Sequence, residues 1–126
     1  MARQRGFRDL LVWRQGMEVV KACYVLTAKL PPEERYGLVA QIRRAAISIP
    51  ANIAEGNGRR TRRDYVNFLH IAQGSLRELE TYLLLLVELR LVPPEATAVP
   101  TRQLESLARL LNRLIQSLIS PQPPTP

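Results

Sequence analysis

From Tyr65 to Leu86 the apolar residues fall four and three apart without a break: Tyr65, Leu69, Ala72, Leu76, Leu79, Leu83 and Leu86. A helix turns once in about 3.6 residues, so this spacing lays one apolar seam along about three heptads. A half-buried strand would need strict alternation instead. Such a seam needs antiparallel partners with seams of their own. The rest of the chain supplies them. Leu104, Leu107, Leu111, Leu114 and Leu118 repeat the pattern downstream, and Leu38, Ile42, Ala45, Ala46, Ile49 and Ile53 share one arc upstream. Nearer the start, one helix carries two stripes: Leu10, Trp13, Met17, Val20 and Tyr24, and on another side Val12, Val19, Cys23, Leu26 and Leu30. The expectation is an all-α, up-down-up-down antiparallel four-helix bundle.

Proline, glycine and capping residues set the expected ends. Residues 1–6 (MARQRG) read as a frayed basic N-terminus, 7–120 as the bundle domain, and 121–126 (PQPPTP) as a disordered Pro-rich tail. The first helix begins near Phe7–Asp9 and stops before Pro31-Pro32. The second starts at Pro31-Pro32-Glu33-Glu34, where proline and two acids suit a first turn. It bends at Pro50, whose missing N–H leaves Ala46 unbonded. It stops at Gly56-Asn57-Gly58, residues that tolerate a left-handed backbone. Thr61 caps the third helix with Asp64 three positions on, and that helix runs to about Leu91. Val92–Pro100 is a linker, and the fourth helix spans Thr101 to Ser120.

Two features exceed what one bundle can bury. The first helix has its two stripes, and beyond Thr81 the third is apolar nearly all round (YLLLLVELRLV). The first helix must therefore pack against more than its own bundle partners or sit very deep, and the third is too greasy for a lone four-helix monomer.

A narrow polar arc runs beside the apolar face of the second helix: Gln41, Arg44, Ser48, Asn52 and Glu55. It lacks lysine and reads as a seam facing another helix rather than water. The third helix carries a matching arc of Asn67, Gly74, Glu78 and Thr81, with Asp64 and Ser75 at its edge. In an antiparallel hairpin, opposed positions share one sum of residue numbers. Gln41/Thr81, Arg44/Glu78, Ser48/Gly74 and Glu55/Asn67 all satisfy the same sum. This predicts a buried or half-buried Arg44–Glu78 pair, close backbone approach at Ser48 and Gly74, and Glu55 accepting from Asn67, with the tip arginines as further donors. Structural specificity is the expected purpose of the seam.

The residues also exclude chemistry. Cys23 is the sole cysteine and His70 the sole histidine, so no internal disulfide forms and no zinc or haem site is expected. No nucleophile has a matching base, so no catalytic residues, no metal and no cofactor are assigned, and the chain is not read as an enzyme. Arg63 and His70 (RDYVNFLH) superficially match the Arg-x-His pattern of helical ribonucleases resembling the HEPN superfamily, but the histidine sits early in a long helix. No apolar stretch follows the basic start, so no secretory leader is expected, and the longest apolar run, Tyr82–Val87, is too short to span a membrane. A cytoplasmic protein is expected.

Net charge is +7, which favours an anionic partner, RNA or DNA first. Arg59, Arg60, Arg62 and Arg63 cluster at the tip of the central hairpin beside a helix N-terminus, a plausible phosphate surface. Arg3, Arg5 and Arg8 add a basic arm. No aromatic residue sits among the tip arginines, so backbone contact is expected over sequence reading. The competing reading of the tip is a solvated charged loop.

Four blocks, FRDLLVWRQGMEVV, the Pro-Pro-Glu-Glu-x-Tyr-Gly-Leu segment, QIRRAAISIPANIAEGNGRR and FLHIAQGSLRELETYL, closely resemble the bacterial four-helix-bundle proteins encoded in intervening sequences of 23S ribosomal RNA genes. The resemblance covers about Phe7 to Leu118. It implies an up-down bundle and a homo-oligomer, a pentameric ring whose subunit interface the surplus apolar stripes would form. It also implies kinship with the accessory variability protein of diversity-generating retroelements, hence nucleic acid or a reverse transcriptase as partners. The matching motif positions are Gln41, Arg43, Arg44, Ser48, Asn52, Glu55, Gly56, Gly74, Ser75 and Glu78; His70 lies outside the pattern. The alternative function is a protein-interaction scaffold or accessory subunit that binds no nucleic acid.

Overall fold

Apolar seams select the helices, and special backbone positions set their ends. The computed structural model describes residues 6–120, and every regular element among them is helical. Helix α1 is Leu11–Thr27, α2 is Leu38–Asn57, α3 is Arg62–Glu88 and α4 is Ala98–Ile119. Short 3-10 turns lie at Phe7–Asp9, Pro32–Glu34 and Pro94–Thr97. Each helix packs on its neighbours in sequence, and α1 closes against α4. This is the expected antiparallel four-helix bundle. Residues 1–5, in the basic N-terminus, and the 121–126 tail lie outside the described residues.

The core is built from the seams read in the sequence. Ile42, Ile49 and Ile53 of α2, Leu69, Leu79 and Leu86 of α3, and Leu104, Leu107 and Leu111 of α4 are fully buried. Each such side chain contributes about 1.5–3 kcal/mol by leaving water. On α1 the core stripe is Val12, Val19, Cys23 and Leu26. The other stripe is the surplus one: Leu10, Trp13 and Val20 are half-buried, while Met17 and Tyr24 are exposed. The greasy end of α3 leaves Leu84 66% and Leu89 58% exposed, as its all-round apolar pattern requires.

Several expected ends are corrected. The second helix does not start at Pro31-Pro32. Those prolines lead into the Pro32–Glu34 turn, and Gly37, at φ −101° and ψ −112°, breaks the chain before Leu38. The fourth helix starts before Thr101, because Pro100 sits in its first turn, where an N–H would have no partner anyway. Gly56-Asn57-Gly58 does end α2, but no glycine among the described residues has positive φ. Gly56 is required for space. A Cβ there would lie 2.7 Å from Phe68 Cβ and 3.1 Å from the Tyr65 carbonyl oxygen, so α2 and α3 cross in contact. Gly16 plays a milder form of this part against Pro50, whose Cβ would stand 3.3 Å from the added atom. The left-handed residue is Arg90, at φ 58°. It follows α3 in a Schellman turn, with Leu91 N–H donating to the Leu86 carbonyl and Arg90 N–H to that of Val87, both at 2.9 Å.

Candidate nucleic-acid interface

The α2–α3 hairpin places its tip at one end of the bundle. Its local fold follows from Gly56, which lets the helices cross, and from Thr61, whose Oγ1 accepts from Asp64 N–H at 3.1 Å. That bond satisfies one of the free N–H groups at the start of α3 and fixes the helix beside the arginines. Arg59, Arg60, Arg62 and Arg63 are all exposed. Arg59 is partly engaged: its Nη2 donates to Glu55 Oε1 at 2.7 Å, and its guanidinium lies 4.7 Å from the Phe68 ring centroid. Arg60, Arg62 and Arg63 make no ion pair among the described residues. The Phe7–Asp9 turn packs on α2, so Arg8 joins the same end through the antiparallel order of the helices. Arg3 and Arg5 of the expected arm lie outside the described residues. The opposite end mixes Glu33, Glu34, Glu88 and Glu95 with Lys29, Arg35 and Arg90. At the tip end the five arginines outnumber Asp9, Glu55 and Asp64, which leaves a modest positive excess beside the positive pole of α3.

The polar seam forms in part. Arg44 Nη2 reaches Glu78 Oε2 at 3.5 Å, so the expected partners do meet. They are not buried: their side chains are 62% and 48% exposed. Such a pair adds at most about 1 kcal/mol. Gln41 turns to Arg44, accepting at 2.6 Å, rather than to Thr81, whose hydroxyl donates to the Arg77 carbonyl. Glu55 accepts from Arg59, not from Asn67, which points to solvent. Gly74 makes no close approach; a Cβ there would meet nothing within 4 Å. The true centre of the seam is Ser48, Asn52 and Ser75. The Ser48 and Ser75 hydroxyls are 2.8 Å apart, and Asn52 Nδ2 donates to both Ser48 oxygens. Ser75 is the seam's buried partner, one position from where the register reading put the contact. Arg43 was visible only as a motif position. It lies over the Tyr24 ring at 4.3 Å and donates to Thr27 Oγ1 at 2.9 Å, tying α2 to α1.

His70 and Arg63 stand seven positions apart on α3, about 10 Å along its axis. The described hydrogen bond of His70 is to Gln73, at 3.0 Å. Cys23 is buried, and burial pushes its thiol up to about 12. It holds its proton and is a packing residue, not a nucleophile. Among the described residues no group of three or more His, Cys, Asp or Glu side chains is placed to hold a metal ion. No described helix is long and apolar enough to cross a membrane.

Comparison with known proteins adds a family to this geometry. A family model described as 23S rRNA-intervening sequence protein matches residues 8–113. A crystal structure of a protein of unknown function from the S23 ribosomal protein family of Bacteroides thetaiotaomicron is similar over 84% of this chain and 99% of that one, with TM-score 0.78 and 27% identity. A sequence comparison with curated proteins finds no match.

Proposed function

Because this chain belongs to the 23S rRNA-intervening sequence protein family, we propose that it is a non-enzymatic, oligomeric helical-bundle protein that binds RNA or DNA through the arginines at the α2–α3 tip. The observation that carries this reading is the tip itself: four exposed arginines in five positions, next to a helix N-terminus, on a chain of net charge +7. Three of the four have no ion-pair partner among the described residues. Phosphate contact by arginine is strong and indifferent to sequence, which suits a surface whose nearby aromatic ring, Phe68, is half-buried and already covered by Arg59. Copies assemble through the surplus apolar side chains, such as Met17 and Tyr24 on α1 and Leu84 on α3, in a closed ring, five-membered by family resemblance. A ring would set several tips side by side and raise avidity for one strand.

The same exposed apolar side chains support a second reading, a scaffold that binds other proteins and no nucleic acid. One experiment separates the two. The variant with Arg59, Arg60, Arg62 and Arg63 all changed to alanine should lose binding to a fluorescent single-stranded RNA while keeping the wild-type sedimentation coefficient. Unchanged RNA affinity in that variant refutes the tip as the site. No binding by the wild type favours the scaffold.

A further inference from the structure

Arg63, His70 and Arg77 follow one another at seven-residue intervals on α3, and all three are exposed. Seven residues make nearly two turns, so the three stand in one line about 10 Å apart. The line begins in the tip and runs along α3 towards its border with α4. There it meets an open groove of about 630 Å³ whose lining includes His70, Gln73, Gly74, Arg77, Arg109 and Asn112. The lining brings together two guanidinium groups, one imidazole and two carboxamides. The His70–Gln73 hydrogen bond at 3.0 Å orients two of them. Arg77 Nη1 donates to Glu80 Oε1 at 2.8 Å, which steadies the guanidinium and leaves its other N–H groups available. Arg109, on the facing helix, is exposed and has no ion-pair partner among the described residues.

Gly74 lies between these groups. Glycine is unfavourable in a helix interior, and here the bundle does not require it, since a Cβ would touch nothing within 4 Å. Its effect is to lower the wall of the groove between Arg77 and Gln73. A side chain at this position would project into the space that the cationic and amide groups surround.

We propose that the α3–α4 groove holds one nucleotide unit of a single-stranded nucleic acid, whose backbone continues along Arg77, His70 and Arg63 to the tip. Arg77 and Arg109 clamp the phosphate from opposite helices. The Gln73 and Asn112 carboxamides, each both donor and acceptor, face the base or ribose. The groove volume falls within the range of sites that enclose small ligands, about 300–1,000 Å³. This inference rests on the nucleic-acid reading above and extends it from the tip to the side of the bundle.

The test compares variants in fluorescence anisotropy with a short single-stranded RNA. Gly74→Leu fills the groove without touching the core, and Arg109→Gln removes one half of the clamp while keeping a polar side chain. Each should weaken binding about tenfold, the loss of one charge-assisted contact or its equivalent. Wild-type affinity in both Gly74→Leu and Arg109→Gln, while the four-arginine tip variant still loses binding, overturns the groove and leaves the tip standing. Weakened binding in the groove variants with an unaffected tip variant supports the groove and refutes the tip. No RNA binding by the wild type overturns both. Uridine monophosphate, a single nucleotide unit, should displace the strand only far above the strand's own Kd. Displacement at that Kd would overturn the assignment to a strand and give the groove to a free mononucleotide.

Discussion

Gly56 and Gly74 occupy the same two helices' hairpin but meet opposite surroundings, so alanine at each should change stability in opposite directions. At Gly74 the new methyl enters open space. The gain is the helix propensity of alanine over glycine, about 0.5–1 kcal/mol in a helix interior. For a domain of this size that raises Tm by about 2–5 °C. At Gly56 the new atom would stand 2.7 Å from Phe68 Cβ and 3.1 Å from both the Tyr65 carbonyl oxygen and its ring Cδ1. Phe68 Cβ and the carbonyl are fixed to the α3 backbone and cannot rotate aside, so α2 and α3 must separate. Overpacking of this kind costs about 1–3 kcal/mol. The propensity gain offsets little of it, because Gly56 lies in the last turn of α2. The net expectation is a loss of about 1–2 kcal/mol and a fall in Tm of about 4–8 °C. Thermal unfolding followed by far-ultraviolet circular dichroism, with urea midpoints alongside, measures both variants against the wild type. Equal stabilisation by the two alanines would refute the crossing at Gly56 and with it the packing assigned to the tip.

Arg90→Gly should stabilise the chain by about 0.5–1 kcal/mol, since it relieves a left-handed arginine at φ 58°; unchanged or lower urea midpoints would contradict the Schellman turn. Cys23 should resist thiol reagents at pH 8 in the native protein and react at once in denaturant. Its folded thiol titrates near 12 against 9.0 for the free group. The contribution of its proton to stability is therefore intact below pH 9 and is lost as pH rises from about 9 to about 12. Leu84→Glu, at a position 66% exposed within one protomer, should leave the bundle folded but shift sedimentation towards a 14.3 kDa species; an unchanged mass would remove Leu84 from the assembly interface.

The helices were legible because leucine and isoleucine repeat at helical spacing, a pattern that survives without knowledge of any neighbour. Their ends were less so. Pro31-Pro32 has the chemistry of a helix start, yet the start is decided at Gly37, whose backbone conformation leaves no mark on the residues around it. Gly56 was noticed for its freedom to turn, whereas its use is closeness to Phe68, a contact known only once α3 is folded back. The register read from Arg44 and Glu78 brought those two together but missed on Gly74, because a shared offset fixes which turns oppose each other and not which side of each turn faces in. Ser75, one residue on, takes the buried position. The tip arginines could be placed on the surface from sequence, since Gly-Asn-Gly before them and a capping threonine among them force a hairpin. The groove could not, because its walls come from α3 and α4 and depend on how those helices align. The equal spacing of Arg63, His70 and Arg77 was the one signal of it in the sequence.

The account stands most directly on how RNA affinity responds to salt. Each phosphate contact to a single strand contributes about −0.7 to the slope of log K against log salt concentration. If the exposed tip arginines all engage the backbone, the wild-type protein should give a slope of about −3 or steeper, and the four-arginine variant should lose most of it. A flat salt dependence, or a slope that the variant leaves unchanged, would contradict the central claim that this end of the bundle is a phosphate-binding surface.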